Sequence, residues 1–191
     1  MDRNLKKDLR FLIEVDKLKT VYRKIKNHNV DRYENDSEHS YHVTLMALIL
    51  HNYSHDEIDL LKVIKMLLIH DIVEIDAGDT FAYDKEAYQT KFEREQKAAN
   101  RIFHLLSEEK GTYYLNLYHE FEAMNTKEAQ FANLIDRFQP ILLNYLNDGG
   151  SWKEHNISKD QVQRRIDPFK DSAPLLYQFL QEILDDYFNE V

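Results

Sequence analysis

The chain has 191 residues, 34 of them acidic against 25 basic, a formal net charge of −9 and no cysteine. That length suffices for one domain with a full core, read here as residues 1–191. The acidic balance excludes general binding of nucleic-acid polymers, which needs a basic face. The missing cysteines exclude disulfides and thiolate zinc sites and fit a cytoplasmic protein. No apolar stretch approaches the roughly 20 residues of a membrane span. Arg3, Lys6, Lys7, Asp8 and Arg10 interrupt any leader-like apolar run at the start.

With four glycines, three prolines and long periodic stretches, the chain reads as all-α. Helices are predicted near 3–20, 38–53, 56–76, 84–107, 112–123, 126–147, 158–166 and 173–188. After the first comes a short basic run, Arg23, Lys24 and Lys26, which is either surface charge or part of a site. Asp36 or Ser37 is the expected N-cap of the second helix. On that helix His39 starts a core-facing stripe continued by Val43, Met46, Ala47 and Leu50. In the third, Val63, Leu67, His70, Asp71 and Glu74 fall on one face. Lys85 to Lys97 is charge-rich and predicts a solvated helix face. Asp136 sits among Ala129, Ala132, Pro140 and Leu143 at helical spacing. Pro140 should kink that helix, and Asn147-Asp148-Gly149-Gly150 should end it.

Three apolar stripes therefore each carry an ionisable interruption. Taken singly, each has an ordinary explanation. A core-facing histidine is often hydrogen-bonded within the core, and Asp136 followed by Arg137 could be a structural pair. Taken together they point to a metal, which satisfies a neutral imidazole and an ionised carboxylate at once. His39, His70, Asp71 and Asp136 offer two nitrogen and two oxygen donors. That set suits one divalent transition ion, Mn, Co, Fe, Ni or Zn, better than calcium, which wants more oxygens. No cysteine nucleophile, G-x-S-x-G elbow or G-x-x-x-x-G-K-[ST] loop is present.

His39, the His70-Asp71 doublet and Asp136 match the H…HD…D pattern of HD-domain metal-dependent phosphohydrolases. More narrowly, the chain resembles the bacterial deoxynucleotidase branch, which acts on nucleoside 5′-monophosphates. Asp36-Ser37-Glu38-His39-Ser40, His70 to Glu74 with Gly78-Asp79-Thr80, Leu134-Ile135-Asp136-Arg137 and Gly150-Ser151-Trp152 carry the likeness, which runs roughly from Leu5 to Tyr187. The resemblance implies a helical bundle with the metal at its centre. It also implies release of phosphate from a small nucleotide substrate by metal-assisted attack of water, and a homodimer.

Within that resemblance, Glu74 lies one turn beyond His70, suited to a general acid or base. An ordinary partner holding a ligand is the alternative. Asp79 matches an aspartate that orients water and reads the sugar hydroxyl; a turn cap is its alternative. Arg23 matches the branch's arginine and offers a fork for phosphate oxygens. An aromatic residue commonly follows that arginine, whereas this chain has Lys24, which could contact phosphate instead. His104 and His119 fall where two-metal relatives place further ligands but lack the expected setting, so one ion is expected. His42 reads as a core or supporting residue. His28, His51, His55 and His155 read as exposed or loop residues. Tyr113, Tyr114, Tyr118, Tyr177, Phe179 and Phe188 are mostly core, with a surplus available for a dimer face. Two other readings stay open: hydrolysis of a nucleoside triphosphate or alarmone on the same scaffold, and a non-catalytic ligand-binding protein.

Overall fold

A computed structural model describes residues 2–189. Ten α-helices and one two-stranded ribbon are found among them. Helix α1 (Arg3–Val15) passes into a 3-10 turn over Asp16–Thr20, so the long first helix of the prediction tightens at its end. Strands β1 (Tyr22–Lys26) and β2 (Tyr33–Asn35) then pair antiparallel. This ribbon is absent from the predicted elements. Helix α2 (Asp36–Leu50) follows directly. Its N-cap is Asn35, not Asp36 or Ser37. The Asn35 side chain accepts from the Glu38 N–H while Glu38 reaches back to the Asn35 N–H. Asp36 is thereby freed from capping and is fully buried.

The predicted 56–76 helix is three pieces. Helix α3 (Leu60–Ile69), capped by Asp59, gives way to a 3-10 turn over His70–Val73 and then to α4 (Glu74–Ala77). The His70 ring donates from Nδ1 to the Leu67 carbonyl at 2.9 Å. An uninterrupted α-helix would offer that carbonyl to the Asp71 N–H. The tighter winding accompanies a histidine that bonds back into its own helix.

Helices α5 (Lys85–Phe103) and α6 (Glu108–Ala123) form an antiparallel neighbour pair. Helix α7 (Lys127–Leu146) then crosses the middle of the molecule, with Pro140 inside it. Gly149, at φ +92°, turns the chain out of α7 into α8 (Gly150–Glu154), a short helix absent from the prediction. Helices α9 (Lys159–Ile166) and α10 (Pro174–Asn189) complete the described chain. Among the described residues, no helix is long and apolar enough to cross a membrane.

Helices α2, α3 and α7 pack on one another, with α6 against α3 and α7, and α5 against α6, α4 and the His70–Val73 turn. Val43, Val63, Leu67, Phe131, Leu134 and Ile135 are completely buried where these helices meet. The stripes that bury them also bring His39, His70 and Asp136 into the same central layer. Of the aromatic surplus, Tyr118 is core, Tyr114, Tyr177 and Phe188 lean on the core, and Tyr113 and Phe179 stay exposed.

Candidate metal centre

A cleft of about 200 Å³ opens onto the central layer. His39 Nε2 lies 2.9 Å and His70 Nε2 3.4 Å from one oxygen of Asp136. The far side of each ring is tied. His39 Nδ1 donates to the Gln139 side-chain oxygen at 3.1 Å, and His70 Nδ1 to the Leu67 carbonyl. Gln139, fully buried, in turn donates to Glu34 at 2.6 Å. Each imidazole is thus held with Nδ1 outward and Nε2 toward Asp136, the arrangement that orients a histidine ligand.

The donor set fits a divalent ion. Ligand atoms of His39, His70 and Asp136 lie within 4.8 Å of one another, and His70 Nε2 is buried without a hydrogen-bond partner. Buried nitrogen of that kind is costly unless something accepts its lone pair. Burial and the charge of Arg23 pull the His39 imidazole down, but Asp136 and Glu34 outweigh them and hold it up at about 9. Burial opposes Asp136's charge too, yet both histidines keep its carboxyl well below the usual range. In the ion-free protein a proton on His39 therefore supplies the positive charge this trio requires.

Asp71 joins that trio to a second one. One of its oxygens is 3.2 Å from His70 Nε2, the other 3.8 Å from His39 Nε2 and 2.9 Å from the Arg23 guanidinium. Asp71 also groups with Asp36 and Glu74, all buried, their oxygens again within 4.8 Å. Arg23 is the cation of this group, with Asp36 at 3.8 Å and Glu34 at 3.7 Å besides Asp71. It does not neutralise the group fully. Burial, then the charge of Asp71, push Asp36 up to about 8, and the same two causes raise Glu74 well above an ordinary carboxyl.

All four expected ligand positions are brought together, with Glu74 beside them. Asp79, after the positive-φ Gly78, lines the cleft, its carboxyl raised by burial. The Arg94 guanidinium fixes that loop through the Ala77 carbonyl and the Thr80 hydroxyl. Lys24 lines the cleft but is exposed. His104 and His119 are outside this centre: one bonds the Asn100 carbonyl, the other Gln96. His42 approaches Gln139 at 3.4 Å, behind His39.

The solvated face predicted for Lys85 to Lys97 needs correction. Lys91 and Glu95 turn inward as an ion pair at 3.5 Å and line the cleft, and Glu95 is buried. Burial raises the Glu95 carboxyl to about 7 despite Lys91. Glu34, Asp36 and Gln139 were missed as site residues. Asp36, one turn before His39 on the same helix, has the spacing of a site residue, and Asn35 takes the cap expected of it.

The HD-domain family model matches residues 15–176, and the chain belongs to the HD-domain family. It is 36% identical over 135 residues to the 5′-deoxynucleotidase HDDC2 of Dictyostelium discoideum, a match covering 68% of this chain and 71% of that protein. To the human 5′-deoxynucleotidase HDDC2 it is 31% identical over 114 residues, 60% of this chain and 54% of that protein. The fold matches the crystal structure of a predicted metal-dependent phosphohydrolase from Magnetospirillum magnetotacticum MS-1. The TM-score is 0.93 and the identity 39%, with 97% of this chain and 93% of that one covered.

Proposed function

We propose that this protein is a metal-dependent phosphohydrolase that releases phosphate from (deoxy)nucleoside 5′-monophosphates. The observation that carries it is the convergence on Asp136 of two imidazoles tied at Nδ1, beside buried carboxylates that need positive charge. The named activity of the HDDC2 relatives supports the substrate class.

In this reading His39, His70, Asp71 and Asp136 hold one divalent transition ion, Mn, Co, Fe, Ni or Zn. When bound, such an ion polarises a phosphoryl oxygen and lowers the pKa of water. Glu74 is the acid or base. Burial and the charge of Asp71 shift its carboxyl toward the protonated form, which can pass a proton to the leaving oxygen. Asp79 orients water and accepts from a sugar hydroxyl at the cleft wall. Arg23 turns its fork between Asp71 and the substrate phosphate, and Lys24 adds charge at the rim. Phosphoryl transfer asks mainly for such positioning and charge neutralisation.

The same reading takes residues 1–191 as one HD-type domain, with Met1, Glu190 and Val191 outside the described residues. It takes the protein as cytoplasmic and as a homodimer. Tyr41, Leu45, Leu48 and Ile49 form an exposed apolar stripe on α2 that supports self-association. Light scattering on the purified chain tests the dimer, and a monomer mass removes it.

Phosphate release from a panel of nucleoside mono- and triphosphates, with Mn²⁺ or Co²⁺ and again with EDTA, tests the activity. Release from monophosphates that EDTA abolishes is expected. Release from triphosphates alone, or none at all with the ion bound, overturns the substrate class.

A further inference from the structure

The cleft carries positive charge that this reading does not use. Arg137, one residue beyond Asp136 on α7, and Arg165 on α9 both line it. Arg137 donates from Nη1 to the backbone carbonyl of Arg165 at 2.7 Å, which sets the two residues side by side. Its guanidinium lies 4.6 Å over the Phe169 ring, and that of Arg165 lies 5.5 Å over Tyr83. Stacking of this kind covers the flat faces and leaves the in-plane N–H groups free to donate.

The other cations of the cleft differ. Arg23 is surrounded by Asp71, Asp36 and Glu34, and Lys91 is paired with Glu95. Among the described residues neither Arg137 nor Arg165 has a carboxylate within ion-pair distance, and the Arg165 guanidinium meets no protein acceptor. Both are half-buried. An arginine cannot shed its proton to escape this situation. A neutral carbonyl would take hydrogen bonds yet leave two neighbouring like charges opposed. An oxyanion relieves both, and a guanidinium fork matches its geometry.

We propose that Arg137 and Arg165 form a second oxyanion subsite in the cleft, which takes a phosphoryl group other than the one being cleaved. The nucleotidase reading bears only on the source of that group. It is either the second phosphoryl of a bisphosphorylated nucleotide or a separate inorganic phosphate.

Calorimetric titration of the metal-free, full-length chain with inorganic phosphate tests the subsite. Without an ion the carboxylate trio of Asp36, Asp71 and Glu74 repels phosphate, and Arg23 is held by carboxylates, so binding reports the arginine pair. Saturable binding is expected, weakened roughly tenfold or more in Arg165→Gln and partly restored in Arg165→Lys. Arg165 is the safer position, since its guanidinium satisfies no protein acceptor; Arg137→Gln is the second variant. Absence of saturable binding in the wild type, or equal binding in Arg165→Gln, overturns the proposal.

Kinetics then identify the source. With Mn²⁺, a KM about tenfold lower for a deoxynucleoside 3′,5′-bisphosphate than for its 5′-monophosphate, a gap narrowed in Arg165→Gln, assigns the subsite to substrate. Equal KM values alongside retained phosphate binding assign it to the separate anion. If no nucleotide is turned over, the calorimetric result still decides the subsite, so the two failures are distinct.

Discussion

The two buried trios at the centre are built from neighbouring residues yet are electrically opposite. His39, His70 and Asp136 hold two groups that are neutral or cationic against one carboxylate. Their outward nitrogens are spoken for by Gln139 and Leu67. Asp36, Asp71 and Glu74 are three carboxyls with one guanidinium among them. The first trio can be satisfied by a proton or, under the proposed function, by a divalent ion. The second cannot be satisfied by Arg23 alone, so two of its members are pushed toward the protonated form. Asp71 touches both and gives a bound ion a way to neutralise the pair of trios together. Under the proposed function the ion's ligands and the raised carboxyls of Asp36 and Glu74 are divided between adjacent clusters, with Asp71 shared by both.

The division is broken most severely at Asp136. Asp136→Ala removes the one oxygen on which both imidazoles converge. Loss of bound Mn²⁺, measured by elemental analysis after dialysis, and of all metal-dependent turnover is expected. Retention of a full equivalent of ion would move the metal's seat to the carboxylate trio. Glu74→Ala is the reverse experiment. The ion should stay while turnover falls by about 10²–10⁴-fold, the span of acid–base contributions. Full turnover in that variant would strip Glu74 of its role.

Arg23→Ala sharpens the comparison next. Among the described residues it withdraws the only guanidinium facing Asp71, Asp36 and Glu34, and the histidine trio keeps its own hydrogen bonds. A rise in KM for phosphorylated substrate of about tenfold or more is expected, the worth of a lost charged hydrogen bond. An unchanged KM would remove Arg23 from the substrate's path.

The two trios were also unequally legible. His39, His70 and Asp136 interrupt apolar stripes, and a helical stripe is a strong signal because burial enforces its period. The carboxylate trio depends on the ribbon and on the 3-10 turn over His70–Val73. Neither has a sequence signature here: no Asn-Gly turn marks the hairpin, and no glycine or proline breaks α3. Asp36 looked like a cap because it directly precedes a helical stripe. Only the placement of Asn35, one residue earlier, shows otherwise. Lys91 and Glu95 were hidden for a related reason. A charge-rich helix is normally solvated, and only the depth of the cleft beside α5 reveals that one edge of it is not. The bundle itself, by contrast, followed from composition and period, since all but one of the later helices begin and end near their predicted bounds.

The mildest test falls on Asp36. Its carboxyl is at about 8 in the folded, ion-free protein against an ordinary value of 3.8, raised by burial and by Asp71. A folded value above the unfolded one means that folding favours the protonated group. Its favourable contribution is complete below about pH 4 and fades as the pH rises toward 8. Asp36→Asn keeps the shape and cannot ionise. In EDTA, the variant and the wild type should therefore melt most alike near pH 4. The variant should gain on the wild type progressively up to pH 8, by a few degrees in Tm. Because Asp36 belongs to neither the nitrogen-bearing trio nor the expected ligand set, the variant should still take up Mn²⁺. A melting difference that does not change with pH would mean that Arg23 neutralises the carboxylate trio after all. The electrical contrast between the two trios would then disappear.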